Sequence, residues 1–272
     1  MFSLRKISVS VILIFSCYTA SGTDPYRLSA GASEAGTGYS CIANPGFWSS
    51  FHNQALLAGM KSLSFSFGYD NRFGIKEVST CYAGLTIPAG KTVMGAVYSH
   101  FGYSDFNRQM TGLACGLKLS ENISAGIMID YFSNKTAGKY CNRESITCEA
   151  GLVFSNNENI MAAIHIFNPV PNSIRKTYLP SRLRAGAGIT LNNSVNAGIE
   201  AEMSTGEKLN IKTGLEYNTG DKFWMRAGFC TDNTSFSFGI GYLMKYAKLD
   251  IAFLTHEKLG ITSSTSLIFT IR

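Results

Sequence analysis

"ISAGIMIDY", residues 123–131, alternates without a break: Ile123, Ala125, Ile127, Ile129 and Tyr131 fall on one side, Ser124, Gly126, Met128 and Asp130 on the other. Successive side chains of a strand point to opposite faces, so this stretch reads as a β-strand with one wholly apolar face and one small or polar face. The rhythm recurs along the chain. Leu63, Phe65, Phe67 and Tyr69 alternate with Ser64, Ser66 and Gly68, and Leu183 to Leu191, Val195 to Met203 and Phe236 to Tyr242 repeat it. A soluble sandwich with its apolar face in the core would give the same alternation. Three features favour the inverted arrangement, in which the apolar face meets lipid. The strands are long, the charges near their centres all fall on the polar face, and Tyr69, Phe73, Tyr98, Phe101, Tyr103, Tyr131 and Tyr217 gather near strand ends like interfacial girdles.

Composition agrees. Only 15% of the 272 residues are charged, against roughly 25% in soluble domains, while Gly numbers 27 and Phe and Tyr together 31. The expected fold is therefore all-β: an antiparallel transmembrane barrel of about 14 strands, an even count as in single-chain bacterial barrels. The strands are expected near 59–69, 74–87, 91–102, 107–120, 122–133, 143–156, 158–168, 181–192, 193–204, 209–219, 222–232, 234–246, 247–255 and 262–272. Longer connections are expected after the odd strands, with "NPVPNSIRKTYLPS" (168–181) as the main outer loop, and short turns after the even ones. The connection near Asp232-Asn233 departs from that pattern.

Residues 1–22 read as a signal peptide, with Arg5 and Lys6 ahead of an apolar run too short to span a bilayer and with Ala20-Ser21-Gly22 for cleavage, the alternative being lipidation at Cys17 after Ile14-Phe15-Ser16. Removing them lowers the formal net charge by two, from +6 to +4. No basic stripe with interleaved aromatics is present, which argues against nucleic-acid binding. The lipid bilayer of an outer membrane is the expected surrounding. Six cysteines remain, at 41, 81, 115, 141, 148 and 230, without a CxxC pair; scattered His residues likewise give no metal-ligand spacing, and no cofactor motif occurs. Cys141 and Cys148 flank an expected loop and are a candidate disulfide in an oxidising compartment.

The polar faces of four successive strands carry Arg184, then Glu200 and Glu202, then Lys212 and Glu216, then Arg226, with Asp130, Glu149, His165 and Asp250 also expected to point inward. Such a network either lines a polar path or pairs across the lumen and fills it, and the second is the simpler reading. Nothing near the His residues marks a nucleophile, so no catalytic group and no enzyme is expected.

One stretch breaks the alternation: "GYSCIANPGFWSSFHNQALLAGM", residues 38–60, compact, aromatic and Asn-bearing. With the residues before it, it resembles the N-terminal segment of FadL-like outer-membrane barrels, in the PorV/PorQ-type branch found in Bacteroidetes. Ala35-Gly36-Thr37-Gly38 matches that branch's small-residue stretch, and Trp48, Asn53, Ala55 and Leu57 match its Trp-to-Leu motif, with Gln54 standing where Pro is usual. "YDNRFGIKEVST" and "HIFNP" carry the likeness further along the chain. The resemblance implies a hatch at residues 23–58 folded into the lumen of a barrel at 59–272. It also implies an accessory role in type IX-like secretion or surface assembly with other outer-membrane proteins, or alternatively passive transport of small hydrophobic molecules.

Overall fold

A computed structural model describes residues 30–136, 142–156, 159–170, 179–192, 194–220 and 222–271. Fourteen antiparallel strands close into one barrel. They are β1 Leu63–Asn71, β2 Thr80–Ala89, β3 Thr92–Gly102, β4 Phe106–Lys118, β5 Ile123–Thr136, β6 Arg143–Ser155, β7 Ile160–Phe167, β8 Arg182–Leu191, β9 Val195–Ser204, β10 Asn210–Thr219, β11 Phe223–Cys230, β12 Ser235–Leu243, β13 Ala247–His256 and β14 Gly260–Ile271. Each strand pairs with its neighbours in sequence, and β1 closes on β14 from Leu63↔Ile271 to Asn71↔Ser263. Closure leaves no unpaired edge for lipid to meet. At the seam, Phe65 stacks on Phe269 with ring centroids 4.9 Å apart.

The alternation reads out as expected. On β5, Ile127, Ile129 and Tyr131 are exposed, while Gly126, Met128 and Asp130 are buried in the interior. The exposed outer face carries Leu113, Ile146, Leu152, Ile199, Leu215 and Phe238, an apolar belt of the kind a bilayer covers.

Two strand starts differ from the sequence reading by four residues or more. Strand β1 begins at Leu63 instead of residue 59, because Gln54–Gly59 forms a 3₁₀ helix. Strand β2 begins at Thr80 instead of 74, because two 3₁₀ turns, Arg72–Gly74 and Lys76–Val78, occupy the connection. Phe73 and Gly74 are left-handed there, with φ of 57° and 72°, which ends the ladder at Asn71. The signal peptide, residues 23–29 and Cys141 lie outside the described residues. Cys148 sits on the outward side of β6, between buried Thr147 and Glu149.

Inside the barrel runs the segment 30–59, built from the short helices α1 Ala32–Gly36 and α2 Ser49–His52 and the 3₁₀ helix. It is held against the wall by inward glycines, because the backbone comes closer than any side chain would allow. A Cβ on Gly239 would meet the Cα of Gly36 at 3.0 Å, and one on Gly214 would lie 2.6 Å from the Thr37 carbonyl oxygen. One on Gly198 would lie 2.6 Å from the Asn44 amide, and one on Gly116 2.6 Å from the Gln54 carbonyl oxygen. At Gly228 and Gly126 a Cβ would overlap the backbone of Gly38 and Gln54 outright. Residues 36–57 thus run round the wall on a track of glycines. Gly126→Val is expected to dislodge the Gln54 turn at a cost of roughly 1–3 kcal/mol. The check is limited proteolysis: new cleavage within residues 47–60, with the barrel keeping its heat-modifiable migration on gels.

Candidate functional site

The lumen is chemically divided. On the β2–β7 side the wall presents Tyr82, Val93, Val97, Met110, Met128, Phe132 and Phe167, which pack with Phe47, Trp48, Phe51 and Leu57 of the inner segment into one buried cluster. Trp48 is fully buried and sits edge-on to Tyr82 at 4.9 Å and to Phe47 at 5.2 Å. Offset and edge-to-face ring contacts of this kind add to the burial of the rings themselves.

The β8–β13 side is ionic. Glu200 Oε1 receives Arg184 Nε at 2.7 Å and Lys212 Nζ at 2.8 Å, and Lys212 also reaches Glu202 Oε2 at 2.6 Å. A second group is centred on Arg226, whose Nε meets Glu216 Oε2 at 2.6 Å and whose Nη1 meets Asp250 Oδ1 at 2.7 Å. All six residues expected to form a lumen network are therefore brought together, in two clusters, joined by Arg182 and Asp250. The charges of these two clusters pair with one another along the wall. This is the structural alternative of the sequence reading.

Sequence reasoning missed what these charges hold. Glu200 Oε2 accepts the backbone N–H groups of Cys41 and Ile42, each at 3.2 Å, and Arg184 Nη1 donates to the His52 carbonyl oxygen at 3.0 Å. The ionic wall thus satisfies backbone groups that the inner segment has taken out of water. Adjacent positive charge in the sequence gives no hint that the partner is main chain.

Residues singled out by motif all lie in this segment. Ala35, Asn53, Ala55 and Leu57 are buried. Gly36 accepts Ser237 Oγ at its carbonyl, and Gly38 is left-handed with φ 64°. Asn53 ties the segment to itself: its Nδ2 donates to the Ile42 carbonyl and its Oδ1 accepts the Ala55 amide, capping the 3₁₀ helix. Gln54, standing in place of Pro, gives a wall contact that Pro could not, with Nε2 on Glu149 Oε2 at 2.7 Å. Glu149 also meets His165 Nε2 at 3.0 Å. Among the described residues no three His, Cys, Asp or Glu side chains converge as metal ligands would.

Two groups of the inner segment titrate away from their ordinary ranges. Burial pushes Glu34 up to about 7, opposed by the Ser33 hydroxyl bond and aided by Asp250. Burial, with Arg184 nearby, holds His52 down to about 3. A raised acid stabilises the docked segment below its unfolded value of 4.5 and loses that contribution as pH rises through 7. The depressed imidazole acts in the opposite sense, contributing above its unfolded 6.5 and losing the contribution as pH falls toward 3. The two windows overlap between pH 4.5 and 6.5, where the opposing slopes offset each other, so docking should be firmest there and weaken above and below. Glu34→Gln removes the alkaline loss, which is on the order of 3 kcal/mol. Amide-exchange protection of residues 32–44 should fall from pH 6 to pH 8 in the wild type and stay level in the variant. Glu200→Gln should cost about 3–5 kcal/mol, because Arg184 and Lys212 lose a buried partner, read as a lower urea midpoint in micelles.

No family model and no curated protein matches the sequence. Solved structures do match in fold. The barrel superposes on the Pseudomonas putida toluene transporter TodX with a TM-score of 0.67 at 10% identity, over 90% of this chain and 99% of that one. It superposes on the Ralstonia pickettii toluene transporter TbuX at 0.64 and 12%, over 89% and 97%. A Pseudomonas aeruginosa FadL homologue gives 0.61 and 12%, again over 89% and 97%. At these identities the likeness is one of fold: a FadL-type fourteen-strand barrel.

Proposed function

We propose that the chain is an outer-membrane channel for passive entry of small hydrophobic compounds, with residues 23–58 serving as its hatch. The divided lumen carries this reading. A channel for polar solutes needs a wetted, polar wall, yet here the β2–β7 side of the inner wall carries a cluster of Val, Met, Phe and Tyr packed on hatch aromatics. A hydrophobic solute can exchange places with Phe47, Trp48 or Phe51 along that half at little desolvation cost. The ionic half keeps the hatch backbone attached meanwhile. The fold shared with two proteins named toluene transporters supports the same substrate class. An accessory role in secretion or surface assembly would leave the apolar half of the lumen without a use, so transport takes precedence over it.

Uptake of a radiolabelled monoaromatic hydrocarbon tests the reading. Expression of the full chain in a Gram-negative host without such a channel should raise uptake severalfold over empty vector. Val97→Arg, which places a charge in the apolar half, should return it to background while the barrel still assembles. Uptake equal to empty vector for the assembled wild-type protein would reject transport.

A further inference from the structure

A cavity of about 320 Å³ lies below the hatch, at the end of the barrel that carries the turns after the even strands. Its lining comes from the hatch (Glu34, Asn44, Phe47), from β7–β10 (Met161, Thr190, Asn196, Glu216) and from β13 and β14 (Lys248, Ile268). We infer that this cavity is a second binding site, on the far side of the hatch from the long connections, for a neutral amphipathic molecule with an apolar body and one hydroxyl group.

The chemistry is on the lining. Phe47, Met161 and Ile268 offer an apolar floor, and Phe47 and Ile268 belong at once to the cavity and to the aromatic cluster. A molecule moving along the apolar half of the lumen therefore reaches this chamber past Phe47. The polar end is Glu34, 8% exposed, held between Gly31 and Gly46 where any Cβ would collide with its carboxyl group. Ser33 Oγ donates to its Oε2, and the carboxyl group lines the cavity. A carboxyl oxygen on a cavity wall has lone pairs to accept a donor from a guest.

Charge selects among guests. The Glu216, Arg226 and Lys248 side chains beside the chamber each have a partner among the described residues. Glu216 holds Arg226 and accepts Asn196 Nδ2 at 3.0 Å. Lys248 lies 3.8 Å from Asp250 and 4.3 Å from the centre of the Trp224 ring. A carboxylate guest would have to draw Lys248 away from Asp250 and the Trp224 ring, past the Glu34 and Glu216 carboxyl groups, and Lys248 and Arg226 repel an ammonium group. A hydroxyl needs no counter-ion, and its proton meets Glu34 Oε1.

The role as a waystation rests on the transport reading, but occupancy of the cavity does not, so binding and flux are measured separately. The two tryptophans of the chain supply the probe. In Trp48→Phe, the remaining Trp224 reports on the cavity mouth. Titration of the full chain in nanodiscs with 1-hexanol should give a saturable change in its emission. Thr190→Phe, which fills the chamber, should weaken binding at least tenfold with unchanged heat-modifiable migration. Glu34→Gln keeps an acceptor and should stay within a few-fold of wild type, whereas Glu34→Leu should lose most of the affinity. Hexanoate and hexylammonium should compete poorly. A linear, non-saturating response, equal binding by Thr190→Phe, or hexanoate binding as tightly as hexanol would each overturn the site. Saturable hexanol binding without hydrocarbon uptake would keep the site and reject the transport reading, and uptake without binding would do the reverse.

Discussion

A main-chain segment taken into a closed barrel must find partners for its amides and carbonyls, and here Glu200 meets that demand. Its carboxylate is shared between Arg184 and Lys212 on one side and the Cys41 and Ile42 amides on the other. Such a group cannot shift without costing two buried cations a partner each. The segment can lie close enough to receive these bonds only because the wall beside it is glycine: Gly186 and Gly198 flank Glu200 on the inner face, and Gly188, Gly214, Gly228 and Gly239 extend the track. The glycines set the distance and the ion pairs set the register.

Magnitudes assign the two halves of the lumen different tasks. Buried ion pairs contribute little net stability over well-packed apolar groups, although breaking one is costly. Burial of Phe47, Trp48, Phe51 and Leu57 at about 1.5–3 kcal/mol each is then the main attraction between segment and wall. The ionic half works as a locator and the apolar half as an adhesive. On the proposed transport role, a hydrophobic solute would compete with the adhesive alone: packing around Trp48 could be displaced while Glu200 and Arg184 keep the Cys41–His52 stretch in place, so local loosening need not become release of the whole segment.

Much of the architecture was legible from period-two alternation, since lipid on one side and a lumen on the other constrain every strand alike. Strand number, strand order and the inward charges on β8–β11 followed from that one pattern. Three things did not. The 3₁₀ turns at Arg72–Gly74 and Gln54–Gly59 displaced strand starts, because extended and helical turns share the same apolar residues over so short a span. The apolar inner wall was hidden, because Val97, Met110 and Met128 sit among outward apolar residues and read as interruptions of a polar face. The inward glycines looked merely small, and what they accommodate lies some 70 to 200 residues away in sequence, beyond any local signal.

Gln54 joins these threads. A proline there would have stiffened the turn and removed a donor. Glutamine instead reaches Glu149, which also holds His165, so the inner segment gains a further anchor on the β5–β7 wall, at the border between the ionic and apolar sides. Around it Asp130 and Met128 are fully buried, and Gly126 and Gly151 let the turn press against the strands. A polar anchor set among apolar packing resists small displacements. The turn is therefore fixed where the backbone would otherwise be freest to swing, and on the proposed transport role the part a solute would displace is the aromatic stretch before it, Phe47 to Phe51, whose Phe47 also lines the chamber below.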